Sequence, residues 1–356
     1  MKVNFNKAVS KIFDHLMFPR LYYSLKDDIS SIDESLSHVI KDEYFKLYES
    51  MRLHLSPYKE AITKLYHKDI HSNYDFINIL LKAYPIYAYQ NVETYFEDLL
   101  NVNPKVFKQN MIKALLTIDD TDEENASGFD ETNATEFINE LKIDAADKWK
   151  LFMLIQNPDN QLHEFIALMN QIKPLFDSQY VLYEKIIENT GHDLATKLSV
   201  NTNEAFEKAT YHTIAYDFDG NHFEGGVYVS FTMPYTLRFI DTKICQIIWG
   251  VDMAYAFKKM HEINENQLTQ RVKIFKALGD RTRYETLKLI ASGYHSIKDI
   301  AKELNVSSAT ISYHINEFLT SGILIMNRKK KQKFSYKIDY ERLNDVLENF
   351  KKDLNF

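Results

Sequence analysis

Residues 274–340 constrain the fold most, because two helical repeats there are separated by a turn too short for anything else. Ile300, Ala301 and Leu304 fall at i, i+1 and i+4, one face of a short helix. Asn305-Val306 breaks that pattern. Ser307 then stands where a helix N-cap would accept from the free N–H groups of the next turn. Ile311, Ile315 and Phe318, at i, i+4 and i+7, form the inner face of a second helix, and Gly322 stops it. Two short helices around a tight turn predict a helix-turn-helix. Ile323–Met326 and Phe334–Ile338 read as two strands around Asn327–Lys333, a loop holding Arg328, Lys329, Lys330, Lys331 and Lys333. A basic hairpin beside the second helix is a wing.

Ser308, Thr310, Ser312, Tyr313, His314, Asn316 and Glu317 avoid the apolar stripe of the second helix. In its first turns these are short or planar hydrogen-bonding groups, the kind that reach base edges in the major groove. The predicted DNA contacts are therefore Ser307, Ser308, Thr310, Ser312, Tyr313 and His314, with Arg328, Lys329, Lys330, Lys331 and Lys333 of the wing on phosphates. Charge points the same way. Residues 266–356 carry 17 basic and 10 acidic side chains, a net of +7, whereas residues 1–265 carry −14. A basic module on an acidic body suits a DNA contact on one face. Simple solvation accounts for the acidic body, but less well for five cations within one hairpin.

This region resembles the ArsR family of bacterial transcriptional regulators. The matching residues are Ala277-Leu278-Gly279-Asp280-x-Thr282-Arg283, then Ile300-Ala301-x-x-Leu304, Ser307 with Thr310-Ile311-Ser312-x-His314-Ile315, and Gly322-Ile323-Leu324. The likeness covers roughly residues 268–350. It implies a homodimer on double-stranded DNA, with repression as the usual mode. Independently, Leu343, Val346, Leu347, Phe350 and Leu354 form an apolar face on a terminal helix, suited to pairing with a partner helix. Metal-sensing members carry Cys-x-Cys before the turn, where this chain reads His295-Ser296-Ile297-Lys298-Asp299, and residues 340–356 contain no histidine. Soft metals need thiolate or imidazole ligands in a closed set, so no metal or other cofactor is expected. Tyr313 stands where many relatives carry arginine, and Ser308 where they often carry glutamine. The operator therefore cannot be copied from a relative.

At 356 residues, with 45% hydrophobic side chains, the chain is long enough for two or three domains. The expected division is a helical body over 1–205, a small sheet with a connecting helix over 206–262, and the winged helix-turn-helix over 263–356. Within the body, helices are predicted over residues 31–55, 75–89, 104–117, 134–141 and 162–189, the last kinked or ended by Pro174. Asp119–Glu131 is acidic without apolar periodicity and reads as a solvated loop, since its oxygen ligands miss calcium-loop spacing. After residue 206, β-branched and aromatic runs predict strands over 210–218, 224–231, 235–240 and 243–249, the first two joined by an Asp219-Gly220 turn. A sheet between body and output domain is a place to couple a sensor to a reader, and equally plain packing.

The N-terminus, MKVNFNKAVSKIF, lacks a long apolar run and a small-residue cleavage site, so no signal peptide is expected. No stretch has the length of a membrane span. The single cysteine, Cys245, sits in an apolar run and predicts a buried thiol in a cytoplasmic protein. His67 and His71 stand one helical turn apart without an evident third ligand, and His212 and His222 flank the predicted turn as surface packing. The 23 Tyr and 23 Phe read chiefly as core, with an apolar ligand pocket as the lesser reading. No phosphate loop, nucleophile elbow or zinc set is present. The sequence thus predicts a mainly α chain with small β elements: a non-enzymatic, DNA-binding transcriptional regulator whose effector it does not name. A winged helix used for protein assembly, without sequence-specific DNA binding, stays open beside it.

Overall fold

The structure is a computed structural model that describes residues 3–23, 39–68, 73–118, 129–218, 225–241, 245–265, 267–329 and 335–355. The chain is mostly helical, as its patterning predicts, with two small sheets. One sheet joins β1 (Asn4–Phe5), β3 (Gly225–Ser230), β5 (Cys245–Gly250) and β4 (Leu237–Asp241) in that order; the other joins β2 (Ile214–Asp217), β6 (Leu324–Lys329) and β7 (Ser335–Ile338). Two compact units emerge. The body comprises Val3–Thr196 and Gly225–Met253, and the second unit comprises Lys197–Glu224 and Ala254–Phe356.

The body holds helices α1 (Lys7–Met17), α2 (Asp42–Leu55), α3 (Lys59–Leu65), α4 (Phe76–Ala83), α5 (Val92–Asn101), α6 (Pro104–Leu116), α7 (Glu131–Glu140), α8 (Ala145–Gln156) and most of α9 (Pro158–Val200). Asp75, Asn91 and Asp130 each cap the helix that follows, accepting from the N–H three residues on. The helix expected over 75–89 ends at Ala83, because Pro85 disfavours helical backbone at Tyr84. The helix expected from residue 31 begins at Asp42, with residues 31–38 outside the described residues. The acidic stretch over 119–128 also lies outside them.

Pro174 neither ends nor breaks its helix: α9 runs through it for 43 residues. The proline costs one backbone hydrogen bond. Leu168, Met169, Ile172 and Phe176 are all buried on either side of it, so tertiary packing fixes the flanking turns regardless.

In the body sheet β3 runs parallel to both β1 and β5, while β4 pairs antiparallel with β5. All of β5 and the last four residues of β3 are buried, including Cys245 as its sequence predicts. Such continuous apolar runs belong to strands covered on both faces. Helix α1 packs on the sheet and ties it to the body through Asp14. This buried carboxylate accepts from Ser230 Oγ at 2.5 Å, Thr232 Oγ1 at 2.6 Å, Phe231 N at 3.1 Å and Thr232 N at 3.2 Å. Burial outweighs the four donors and pushes its carboxyl up to about 6.

The strands expected to neighbour each other across Asp219-Gly220 fall in different sheets, and the turn itself lies outside the described residues. β2 belongs to the second unit, where α10 (Thr202–Ala209) precedes it. Phe206, Tyr216 and Phe218 bury against one another there, with Tyr216 and Phe218 4.1 Å apart and Phe206 5.4 Å from Phe218. β2 then pairs in parallel with β6, Ile214 opposite Met326 and Tyr216 opposite Arg328. Between α10 and β2, Tyr211 and His212 both adopt left-handed backbone, at φ +50° and +59°. Neither residue tolerates it without strain. His212 is exposed, with Nδ1 3.8 Å from Glu207 Oε2; His222 lies outside the described residues.

Candidate nucleic-acid interface

The rest of the second unit is α11 (Met253–Glu265), α12 (Gln267–Leu278), α13 (Arg281–Ala291), α14 (Ile297–Leu304), α15 (Ser308–Ser321), the β6–β7 hairpin and α16 (Tyr340–Asp353). Its local chemistry sets each boundary. Asp280 caps α13 by accepting from Arg283 N at 2.8 Å, and Ser296 caps α14 by accepting from Asp299 N at 3.3 Å. Asn305 ends α14 in the left-handed region at φ +55°, a conformation asparagine tolerates better than most residues. Two residues later Ser307 starts α15 by accepting from Thr310 N at 3.0 Å. Gly322 ends α15 at φ +74°; a Cβ there would also lie 2.6 Å from the Arg342 guanidinium. The turn of the helix-turn-helix is therefore built by one αL asparagine and one serine cap.

Ile300, Ala301, Ile311, Ile315 and Phe318 form one core with Ile274 and Ala277 of α12, Ile290 of α13, and Tyr336 and Ile338 of β7. The apolar periodicities in the sequence thus mark the faces that meet. On the opposite side of α15, Ser308, Ser312, Tyr313 and Asn316 are half-buried and share one face, with Ser307 and Thr310 at its start. Ser307 Oγ and Thr310 Oγ1 lie 2.8 Å apart, so part of their capacity is spent on the cap. Asn316 sits outside the contacts expected up to His314; the same helical period carries it onto that face.

His314 corrects the expectation made for it. It is 7% exposed, and neither ring nitrogen has a hydrogen-bond partner among the described residues. Burial holds its pKa below the ordinary imidazole value; Asp280 nearby opposes that shift and Arg283 adds to it. Glu317 is buried as well, 3.4 Å from Arg283 Nη1. The flank of α15 carrying His314 and Glu317 turns towards α13. Their polarity serves a seam between two helices, which helical phase alone does not separate from a solvated flank.

The first wing strand reaches further than expected, to Lys329, because β2 pairs alongside it up to that residue. Arg328 and Lys329 thus lie on the strand, not in the loop. Lys330, Lys331 and Lys333 lie outside the described residues.

The terminal apolar face divides in two. Val346 is buried in the core, Leu343 packs against it, and Phe350 lies 4.9 Å from Phe275 of α12. Arg271 on α12 pairs with Asp353 at 3.1 Å. Leu347 and Leu354 remain 47% and 56% exposed, and Val272 on α12 is 48% exposed. Of the five residues expected at a dimer contact, three are engaged within this chain.

Of the histidine pair in the body, only His67 lies among the described residues. His67 Nε2 lies 2.5 Å from Asp147 Oδ2, its backbone N–H donates to Asp75, and His71 lies outside the described residues. Among the described residues no group of three or more His, Cys, Asp or Glu could hold a metal ion, and no helix is long and apolar enough to cross a membrane.

Comparison with known proteins places this architecture. The profile of the bacterial regulatory protein arsR family matches residues 280–325, from the α13 cap into β6. The chain is 35% identical over 74 residues to the transcriptional repressor SdpR of Bacillus subtilis, covering 21% of this chain and 81% of that protein. It is 36% identical over 76 residues to an uncharacterised HTH-type transcriptional regulator of Methanocaldococcus jannaschii, covering 21% and 84%. It is 30% identical over 76 residues to the arsenical resistance operon repressor of Staphylococcus aureus, covering 21% and 72%. No solved structure gives a significant match. Through its C-terminal helix-turn-helix, the chain belongs to the ArsR family of transcriptional regulators, non-enzymatic DNA-binding proteins.

Proposed function

We propose that this chain is a homodimeric repressor that reads an operator in the major groove through α15, with its activity modulated by the body. The observation carrying this reading is the outward face of α15. It presents Ser308, Ser312 and Asn316, which can donate and accept, beside the phenol of Tyr313, with no charged side chain among them. Side chains of that size and polarity suit base edges, whereas a protein-docking face would favour apolar anchors. Two of the relatives are repressors, and repression comes to this chain by that likeness. The exposed leucines Leu347 and Leu354, with Val272 on the adjoining helix, support pairing of two copies. Two copies would span half-sites about one helical turn apart, roughly 34 Å.

The test is to incubate the full chain with sheared DNA of its own source at physiological salt and sequence the retained fragments. A discrete set sharing an inverted repeat is expected. Uniform retention of all fragments, or of none, would overturn operator reading. Loss of transcription from the neighbouring promoter in the presence of the protein would establish repression.

A further inference from the structure

Three helices of the body enclose a cleft of about 240 Å³. Lys11, Ile12 and His15 come from α1, Val92 and Glu93 from the start of α5, and Lys173, Phe176 and Asp177 from α9. The volume is below the roughly 300–1,000 Å³ of drug-sized ligand sites. It suits a metabolite of few atoms.

His15 gives the cleft a chemical demand. The ring is 2% exposed and stacks on Phe176 at 4.6 Å. Its Nε2 lies 3.1 Å from the Met169 carbonyl oxygen. A carbonyl can only accept, so Nε2 carries the proton, and the neutral ring leaves Nδ1 as a bare acceptor. Burial lowers this imidazole to about 4, which keeps it neutral near pH 7. Nδ1 has no partner among the described residues. The residue lines the cleft, so a donor for Nδ1 can come from a molecule bound there.

The charges around it carry both signs. Asp177 lies 2.7 Å from Lys173 and 3.0 Å from Lys11, and Lys173 reaches Glu93 at 3.7 Å. Two cations balance two carboxylates, so a ligand of large net charge gains nothing from the sum. All four side chains are more than a third exposed, so their pairing is weak enough to exchange for a ligand. Acceptors for an ammonium stand at His15, Asp177 and Glu93. Donors for a carboxylate stand at Lys11 and Lys173, and Ile12, Val92 and Phe176 supply an apolar wall.

We propose that this cleft binds a small zwitterion of the α-amino acid class, its ammonium on His15 Nδ1 and Asp177 and its carboxylate on Lys11 and Lys173. The site goes beyond the DNA reading and does not rest on it, since binding is measured without DNA. The experiment is thermal unfolding of the full chain with each common α-amino acid at millimolar concentration, and with acetate and methylamine as single-charge probes. At least one amino acid is expected to raise Tm by several degrees while neither single-charge probe does. Asp177→Asn and Lys173→Met are expected to weaken that amino acid about tenfold each, the loss of one charge-assisted hydrogen bond, with an unchanged circular dichroism spectrum. No shift with any amino acid, an equal shift with acetate or methylamine, or full affinity in both variants would overturn the proposal.

Discussion

Arg283 on α13 lies 3.4 Å from the Glu317 carboxylate on α15, on the flank turned away from Ser312 and Asn316. Glu317 is nearly fully buried and Arg283 mostly so. Removing the cation alone would leave a carboxylate in the interior, which costs far more than the pair itself contributes. Arg283→Met is therefore expected to destabilise the second unit by about 2–3 kcal/mol, below the usual cost of breaking a buried pair because the contact is long. Arg283→Met with Glu317→Gln should recover most of the loss. Urea unfolding followed by circular dichroism reads both, and a double variant as unstable as the single one would contradict the account.

The wing supplies a prediction about salt. Replacing Lys329, Lys330 and Lys331 with Ala should weaken binding to all DNA sequences alike. If each touches a phosphate, the log–log salt slope falls by roughly 0.9 per lysine. Fluorescence anisotropy across a salt series measures it, and an unchanged slope removes the wing from the phosphate contacts.

The divided face of α16 lets folding be tested separately from the proposed pairing of two copies. Leu347→Glu with Leu354→Glu alters only exposed positions, so Tm should hold while the dimer dissociates, with a loss of at least about 2 kcal/mol if these residues anchor the interface. Phe350→Ala instead removes the half-buried ring packed on Phe275 and should cost about 1–2 kcal/mol of stability. Sedimentation velocity and thermal unfolding on the same samples separate the two effects. A dimer intact in the glutamate double variant would place the interface elsewhere.

Asp14 and His15 are neighbours on α1 with opposite pH dependence. His15 is held near 4 against an ordinary 6.5, so the folded state takes up its proton late; the stability it contributes is full above 6.5 and is lost as pH falls towards 4. Asp14 is raised to about 6 from 3.8, so its folded form binds a proton early, and stability is gained as pH falls from 6 towards 3.8. Each shift corresponds to about 3 kcal/mol at most. The two oppose each other between pH 6 and 4. Asp14→Asn, which removes the gain, should make stability fall steeply over that window, and urea midpoints at several pH values check it. A variant as flat as the parent would show that His15 is not the group being titrated.

The helix-turn-helix was legible because everything that defines it is local. Apolar spacing marked the core faces of α14 and α15, and Ser307 and Gly322 marked the ends of α15. The same reasoning placed His314 at the groove, because periodicity gives a residue's angle on a helix and not what packs against that angle. Neighbouring α13 decided it. The body sheet was less legible still. β1 and β3 pair across more than two hundred residues, and buried parallel strands read as plain apolar runs with no face to choose. Nothing near Pro174 in the sequence announces that packing on both sides would carry the helix through. The cleft around His15 draws on three helices far apart in the chain, so no spacing rule could assemble it.

The strand at the wing's flank bears on how this protein can be dissected. A wing hairpin ordinarily ends in open backbone, and β6 would offer such an edge to any passing strand. Here residues 214–217, more than a hundred positions upstream, already occupy it. A fragment begun at α11 would cut that strand away and leave a row of bare N–H and C=O groups, an invitation to aggregate or to swap strands between copies. An expression fragment meant to behave as a monomeric DNA-binding module has to start before α10.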